Sequence, residues 1–435
     1  MRQTLFYIPH EIAGVPFLGF GWLLGIWCLV GAVIIYAAWK QQGWSSETLW
    51  QLPVLLVVAA AIAYVLPSVE ERAAIANAPP ESWPILGLPI RGYGVMVLLA
   101  VSSGVGLALY RAGRLGISSE VIFGLAFAMF LPGIVGARLF YVIQYWNEIY
   151  VPGNVGATLA SVVNLVKGGL VVYGSLIGGM SGFAYFMWKH KLPALAIADL
   201  IAPSMALGLA IGRIGCLMNG CCFGGVCESG MATRWAIEFP SESPPYIEQK
   251  SLGLFHGLKL EDFGNGVRIG GITSQAIIDN TSLAAGQHVL KINGRVIATL
   301  EDAKQELARS GKDITVTTNG GTIPLIADGP FPPLSLPVHP TQIYSSINAF
   351  LICLLGLALY PYRKRDGQVI AAVLTSYAIT RFILELIRKD EGSFYSTGLT
   401  ISQNVSVMMF VLLAALWLFV MLRPKQHAFP LHATV

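Results

Sequence analysis

The sequence predicts an all-α polytopic membrane protein of about nine transmembrane helices, with its N-terminus outside, its C-terminus inside and a small α/β insert on the outer side. Three observations carry that expectation. Of the 435 residues 54% are hydrophobic and 12% charged. Nine stretches approach the ~20 apolar residues that cross a bilayer. One long segment, residues 224–337, is polar and holds no such stretch. The net charge of +4 is small and scattered, and without a lysine or arginine block it excludes nucleic acid as a partner. Partners are expected among membrane lipids and other membrane proteins.

In chain order the apolar windows fall at residues 18–39, 50–67, 90–110, 119–145, 169–188, 196–218, 341–361, 368–388 and 400–422. Met1 to Phe17 carries Pro9 and Glu11 and leads into a run long enough to span, so no cleavable leader is expected. Lys40, then Arg111 with Arg114, then Lys189 with Lys191, then Arg363, Lys364 and Arg365, then Arg423 with Lys425 fall in alternate connections. The positive-inside rule makes those connections cytoplasmic. The chain thus divides into an extra N-terminal helical hairpin and loop (1–84), a first part of the membrane core (85–225), an external head (226–335), and a second part of the core with a cytoplasmic tail (336–435). A weak echo between GVPFLGFGWLLGIW (14–27) and GLPIRGYGVMVLLA (87–100) fits either duplication of a hairpin or chance likeness of two membrane entries.

Within the head, HVLKINGRVIATLEDAKQELARSGKDITVTTNGGTIPLI reads as strand, Asn293-Gly294 turn, strand, a helix opened by Thr299 with Asp302 at capping-box spacing, then two strands around Asn319-Gly320. The phrase LAAGQHVLKINGRVIATLEDAKQEL (283–307) resembles the second half of a PDZ domain, a fold that binds extended peptides by strand addition. GVRIGGI (266–272) is a poor candidate for a carboxylate-binding loop, so peptide capture and a purely structural cap both stay open. The proline-rich DGPFPPLSLPVHP (328–340) is expected to return to the membrane as a stiff linker.

The charges inside the apolar windows carry the functional reading. Arginine at mid-membrane costs about 2.5 to 3.5 kcal/mol on insertion scales, which makes each such residue a functional hypothesis. GRIGCLMNGCCFG (212–224) places Arg213 near the end of an apolar run. At 1.5 Å per residue, Arg138, Arg213 and Arg381 lie roughly 20 to 28 Å along outward-running helices. Arg91 with Tyr93, Tyr173, and His339 with Gln342 and Tyr344 begin inward-running ones. All reach one depth band in the outer half, which is better explained by a shared polar cavity for an anion than by independent snorkelling. Arginine's planar fork suits the phosphate of a lipid headgroup. Glu385, four residues from Arg381, is placed to neutralise it within one helix, and Arg388 reads as an interface residue.

Cys216, Cys221, Cys222 and Cys227 follow a C-x4-C-C-x4-C spacing that matches no usual zinc pattern, and an adjacent pair is awkward for tetrahedral closure. Disulfides and packed free thiols both remain open, and no metal is expected. Cys28 and Cys353 read as core residues.

Together the motifs RGYG (91–94), GARLFY (136–141), GGLVVYGSLIG (168–178), DLIAP (199–203), GRIGCLMNG (212–220), HPTQIY (339–344) and RFILELIR (381–388) resemble those of prolipoprotein diacylglyceryl transferases. The resemblance implies a seven-helix core with an external head between its fourth and fifth helices, in a bacterial plasma membrane, with the active site near the outer leaflet. It implies transfer of the diacylglyceryl group of phosphatidylglycerol to the lipobox cysteine of a prolipoprotein signal-peptide segment, releasing glycerol phosphate, with no cofactor. Arg213 and Arg381 would stabilise the phosphate charge. Asn219 and Tyr93 would hold the headgroup with Gly220, Arg138, His339, Gln342 and Tyr344, while Gly212 and Gly215 allow close approach. Tyr173 stands where the family commonly has histidine, so the proton step falls to Tyr173, to His339 or to water. Ser345 follows HPTQIY where an acidic residue is usual. A non-catalytic lipid- and protein-binding relative is the alternative. A transporter fits less well, because the charges gather at one face and not at the midplane.

Overall fold

The computed structural model describes residues 3–43, 46–73, 82–163, 169–227, 234–264, 266–272, 283–325, 330–386 and 401–429. It is mostly helical, and seven helices among these residues are long and apolar enough to cross a membrane. The chain forms two compact units, residues 2–197 and residues 198–427.

The first unit holds β1 (Thr4–Ile8), α1 (Trp22–Gln42), α2 (Ser46–Ala60), β2 (Glu71–Arg72), β3 (Ile85–Arg91), α3 (Gly92–Arg114), α4 (Ser119–Gln144), α5 (Val155–Val163) and α6 (Val172–His190). β1, β3 and β2 make a small antiparallel sheet in that order. The segment before the first span is therefore a strand, which its short TLFYI pattern does not separate from the apolar run that follows. Arg91 is spent here, its Nη2 lying 2.7 Å from Glu71, and His10 bonds Glu70 at 2.8 Å. α1 and α2 pair as a hairpin, with Trp27 Nε1 donating to the Leu55 carbonyl. α2 carries Pro53 and passes into a π turn at Ala61–Val65, so it is shorter than the expected span.

α4 and α6 approach backbone to backbone. Gly174, Gly178 and Gly182 recur every fourth residue, and a methyl on Gly178 would run into the Pro132 carbonyl, as one on Gly174 would into that of Gly136. Small residues at this spacing are what let helices pack in lipid, where hydrophobicity gives no drive to associate. Outward, Phe127 and Ile143 of α4 and Leu176 and Trp188 of α6 stay exposed, as a surface meant for acyl chains requires.

The second unit contains most of α7 (Ala194–Asn219), the head, α10 (Thr341–Leu359), α11 (Gln368–Glu385) and α12 (Ile401–Leu422). α7 is the most buried span, at 56% of its apolar window against 6% for α1. Within its first turns Asp199, fully buried, accepts from the backbone N–H groups of Gly367 (2.7 Å) and Ile370 (2.8 Å) and so caps α11. Arg363 lies beside it, stacked over Tyr360 at 3.8 Å.

The head is built from α8 (Pro244–Ser251), β4 (Leu258–Asp262), β5 (Val267–Ile272), β6 (His288–Ile292), β7 (Arg295–Val296), α9 (Leu300–Arg309), β8 (Ile314–Thr318) and β9 (Gly321–Leu325). The sheet runs β9-β8-β6-β5-β4 with β7 added to β6. The Asn293-Gly294 turn has φ of 50° and 80°, the left-handed pair that a tight hairpin needs. The Thr299–Asp302 capping box is formed on both sides. GVRIGGI is no loop: it is β5, paired on both edges. Val267, Ile269, Val289, Ile292, Leu307 and Val316 fill one core. The returning proline-rich stretch is pinned to the head, where Gln249 exchanges two bonds with Leu336 while Ser335 bonds Phe239.

His256 gives the head a pH dependence. Its Nε2 donates to the Gly311 carbonyl at 3.0 Å, while Nδ1 is buried without a partner among the described residues. Burial holds its pKa below the ordinary 6.5, Lys250 and Lys312 push the same way, and the Gly311 bond opposes them. The folded head therefore prefers the neutral ring. Its stability is full above about pH 6.5 and falls as pH drops from there toward the lowered folded value, because the unfolded chain takes the proton first. Hydrogen exchange of β8 and α9 at pH 7.5 and 5.5 should show faster opening at the lower pH, and His256→Gln should flatten that difference.

Candidate functional site

The site grows from the end of α7. Asn219 is its last residue, and Gly220, at φ 75°, turns the chain out in a left-handed conformation. Gly220 N bonds Leu217 O and Cys221 N bonds Cys216 O, the two reverse bonds of a Schellman turn, which favours glycine at this position. The start of α10 then locks the turn. Gln342 Nε2 donates to Cys221 O at 2.8 Å and Thr341 Oγ1 to Cys222 O at 2.6 Å. His339 exchanges backbone bonds with Gly224 and Gly225. Gln342 is 1% exposed, and its Oε1 has no partner among the described residues. GRIGCLMNGCCFG and HPTQIY, some 120 residues apart in sequence, are thus one structural corner.

The three arginines differ in how they are used. Arg138 Nε, Nη1 and Nη2 donate to the carbonyls of Val162 (2.8 Å), Gly169 (3.0 Å) and Ser161 (2.6 Å). A cation at the C-terminal end of α5 is well placed for the helix dipole, and through Gly169 it fixes the approach to α6. Arg381 Nη1 lies 2.8 Å from Glu385 Oε2, with the two side chains 15% and 1% exposed. Arg213, half-buried on α7, makes no hydrogen bond or ion pair among the described residues. It alone of the three keeps its guanidinium for something else.

The remaining expected residues fall into the two units. His339 and Tyr344 are half-buried at the start of α10, beside the corner. In the first unit Tyr93 is exposed in the first turn of α3 and Tyr173 half-buried in the first turn of α6. Arg388 lies outside the described residues. Sequence reasoning assigns no role to Asp199 or Thr341. An acid inside an apolar window is the available signal for Asp199, whereas Thr341 has none beyond its place in HPTQIY.

The cysteines divide as the spacing does not suggest. The sulfurs of Cys216, Cys221 and Cys222 lie within 4.8 Å of one another, and Cys227, buried, stands outside the group. Neighbouring side chains on extended backbone point apart, but Cys222 has φ 61°, which brings adjacent thiols round together. None of the six cysteines is joined in a disulfide in the structure.

A family profile described as prolipoprotein diacylglyceryl transferase matches residues 80–420. A phosphatidylglycerol–prolipoprotein diacylglyceryl transferase of Rhodopirellula baltica is 33% identical over 439 residues, covering 94% of this chain and 87% of that protein. This chain belongs to the prolipoprotein diacylglyceryl transferase family. Similarly named proteins of Clostridium perfringens (24% identical, 77% of this chain, 92% of that protein) and Psychrobacter arcticus (26%, 74% and 87%) extend the match. The family resemblance drawn from the seven motifs is borne out, and this diacylglyceryl transferase is a multi-pass membrane enzyme. Its matched region runs through both units and includes the α7–α10 corner, Arg138, Tyr173 and the Arg381–Glu385 pair.

Proposed function

We propose that the chain transfers the diacylglyceryl group of phosphatidylglycerol to the thiol of the lipobox cysteine of prolipoproteins, releasing glycerol phosphate. The observation that carries this reading is Arg213, a guanidinium at the end of an apolar span with no hydrogen bond or ion pair among the described residues. The corner that its motif belongs to also holds the Gly220 turn and, in Gln342, a buried amide whose Oε1 has no partner among the described residues. A phosphodiester headgroup satisfies all three. Arg213 binds the phosphate in pairs of hydrogen bonds, Gln342 Oε1 takes a headgroup hydroxyl, and Asn219, Gly220, His339 and Tyr344 hold the headgroup. Arg381, aimed by Glu385, adds the second positive charge, and Arg138 acts by positioning the entry to α6. Tyr173 is the hydrogen-bonding residue of the proton step.

The topology in this reading has nine spans, α1, α2, α3, α4, α6, α7, α10, α11 and α12, in a bacterial inner membrane with the corner near the outer leaflet. Pairing of β1 with β3 supports it, since both strands must lie on one side and α1 with α2 supplies the even number of crossings. The head is PDZ-like in its second half and serves as a cap over the corner. The amides of Leu258 and Leu260 on the β4 edge are already taken by Gly253 and Leu252, which leaves that part of the edge unavailable for strand addition.

The test is transfer of a labelled diacylglyceryl group from phosphatidylglycerol to a lipobox peptide by the purified chain, and its absence overturns the reading. Tyr173→Phe should slow transfer by about 10²-fold, the lower range for a positioned proton-transfer group. Tyr173 marks the second reading, a non-catalytic relative, and full activity of Tyr173→Phe would remove it from the proton step. Deleting residues 267–326 should weaken transfer to prolipoprotein more than to a short peptide.

A further inference from the structure

We infer that Cys216, Cys221 and Cys222 hold a zinc ion whose fourth position takes the substrate's cysteine thiol. The inference rests on the transferase reading and supplies it with the means of activating the nucleophile. Three thiol sulfurs lie within 4.8 Å of one another. Around a tetrahedral zinc with bonds of about 2.3 Å, sulfurs stand about 3.8 Å apart, so closure of roughly 1 Å completes the set. The backbone that carries two of them is already fixed, by Gln342 on Cys221 O, by Thr341 on Cys222 O and by the bond from Cys221 N to Cys216 O. Three protein ligands with one open position is the pattern of a catalytic zinc, whereas structural sites are closed by four. Cys227, the residue that would close it, is buried apart from the group.

The chemistry explains why such a site belongs beside Arg213. Three thiolates and Zn²⁺ carry one net negative charge, and Arg213, three residues before Cys216 on α7, lies on the same helix face. A thiol that binds the metal gives up its proton in the step assigned to Tyr173, and that proton passes on to solvent. Its sulfur lone pair then forms the C–S bond to the terminal glyceryl carbon of phosphatidylglycerol as the C–O bond to phosphate breaks. The bonding pair leaves on the phosphate oxygen of glycerol phosphate, held by Arg213. The product thioether, a weaker ligand, departs. One proton is released, and nothing is oxidised or reduced. No histidine is required, which suits a chain with Tyr173 at that place.

The experiment uses the full chain in detergent, purified anaerobically without chelator. Elemental analysis should find about one zinc per chain, reduced at least tenfold in Cys216→Ser and Cys221→Ser and unchanged in Cys353→Ser. Exchange of zinc for cobalt(II) in the unmutated chain should give a sulfur-to-cobalt absorption band that strengthens on adding a lipobox peptide and does not respond to its Cys→Ser counterpart. A metal-free chain with all thiols titratable, a disulfide within the trio, or a band indifferent to the peptide thiol overturns the inference. Metal-stripped protein that still transfers at the full rate also overturns it, while leaving the transferase reading intact. A cobalt chain that captures the peptide thiol yet transfers nothing sustains the site and overturns the transferase reading.

Discussion

Arg213→Ala should lower diacylglyceryl transfer by about 10²- to 10³-fold, the loss expected when a preorganised donor to developing charge is removed. The phosphodiester enters with one negative charge and leaves as a phosphate monoester with nearly two, so the guanidinium holds the transition state more tightly than the ground state. The effect should therefore fall mainly on kcat and only weakly on KM for phosphatidylglycerol. Arg213→Lys should recover a minor part, since an ammonium keeps the charge but loses the paired hydrogen bonds. Thermal unfolding should not suffer, because Arg213 has no partner among the described residues to leave behind. Arg381→Ala provides the contrast: it removes the guanidinium that lies 2.8 Å from Glu385, whose side chain is 1% exposed, and should cost about 3–5 kcal/mol of stability along with activity. Labelled-lipid assays beside melting curves separate the two, and an Arg213→Ala chain with more than about a tenth of parental kcat would remove Arg213 from the chemistry.

Much of the fold was legible because its signals are local. Each expected apolar window contains a helix, and Asn293-Gly294 with Thr299 and Asp302 makes the turn and cap that its own chemistry dictates. What escaped depends on distant backbone. β1 finds β3 more than 80 residues away, and LKLED becomes β4 only because β5 is there to pair with it. The site divides in the same way. Glu385 was readable as the partner of Arg381 because four residues make one helical turn. The partners of Arg138 are carbonyls, which every residue carries and no side chain announces. Convergence of the three thiols turns on the φ of Cys222, and the spacing of cysteines along the chain does not encode it.

A second large loss of stability is expected far from the corner, at Asp199. Its two carboxylate oxygens accept from Gly367 N and Ile370 N, so the α7 side chain performs the capping that the glycine preceding α11 has no side chain to do. Loss of a cap costs about 0.5–2 kcal/mol. Asp199→Ala also leaves the Arg363 guanidinium, 3% exposed, with Asp366 as its remaining carboxylate partner among the described residues. The pair Arg363–Asp199 is long at 4.0 Å, so its loss adds less than a tight buried pair would, and the total should be about 2–4 kcal/mol. Asp199→Asn is the sharper test. One amide oxygen can accept from one N–H, but the amide nitrogen then faces the other donor, so the substitution should lose most of the same stability despite its equal size. Unfolding in detergent measures both variants, and an Asp199→Asn chain as stable as the parent would show that the carboxylate is not what holds α11 to α7.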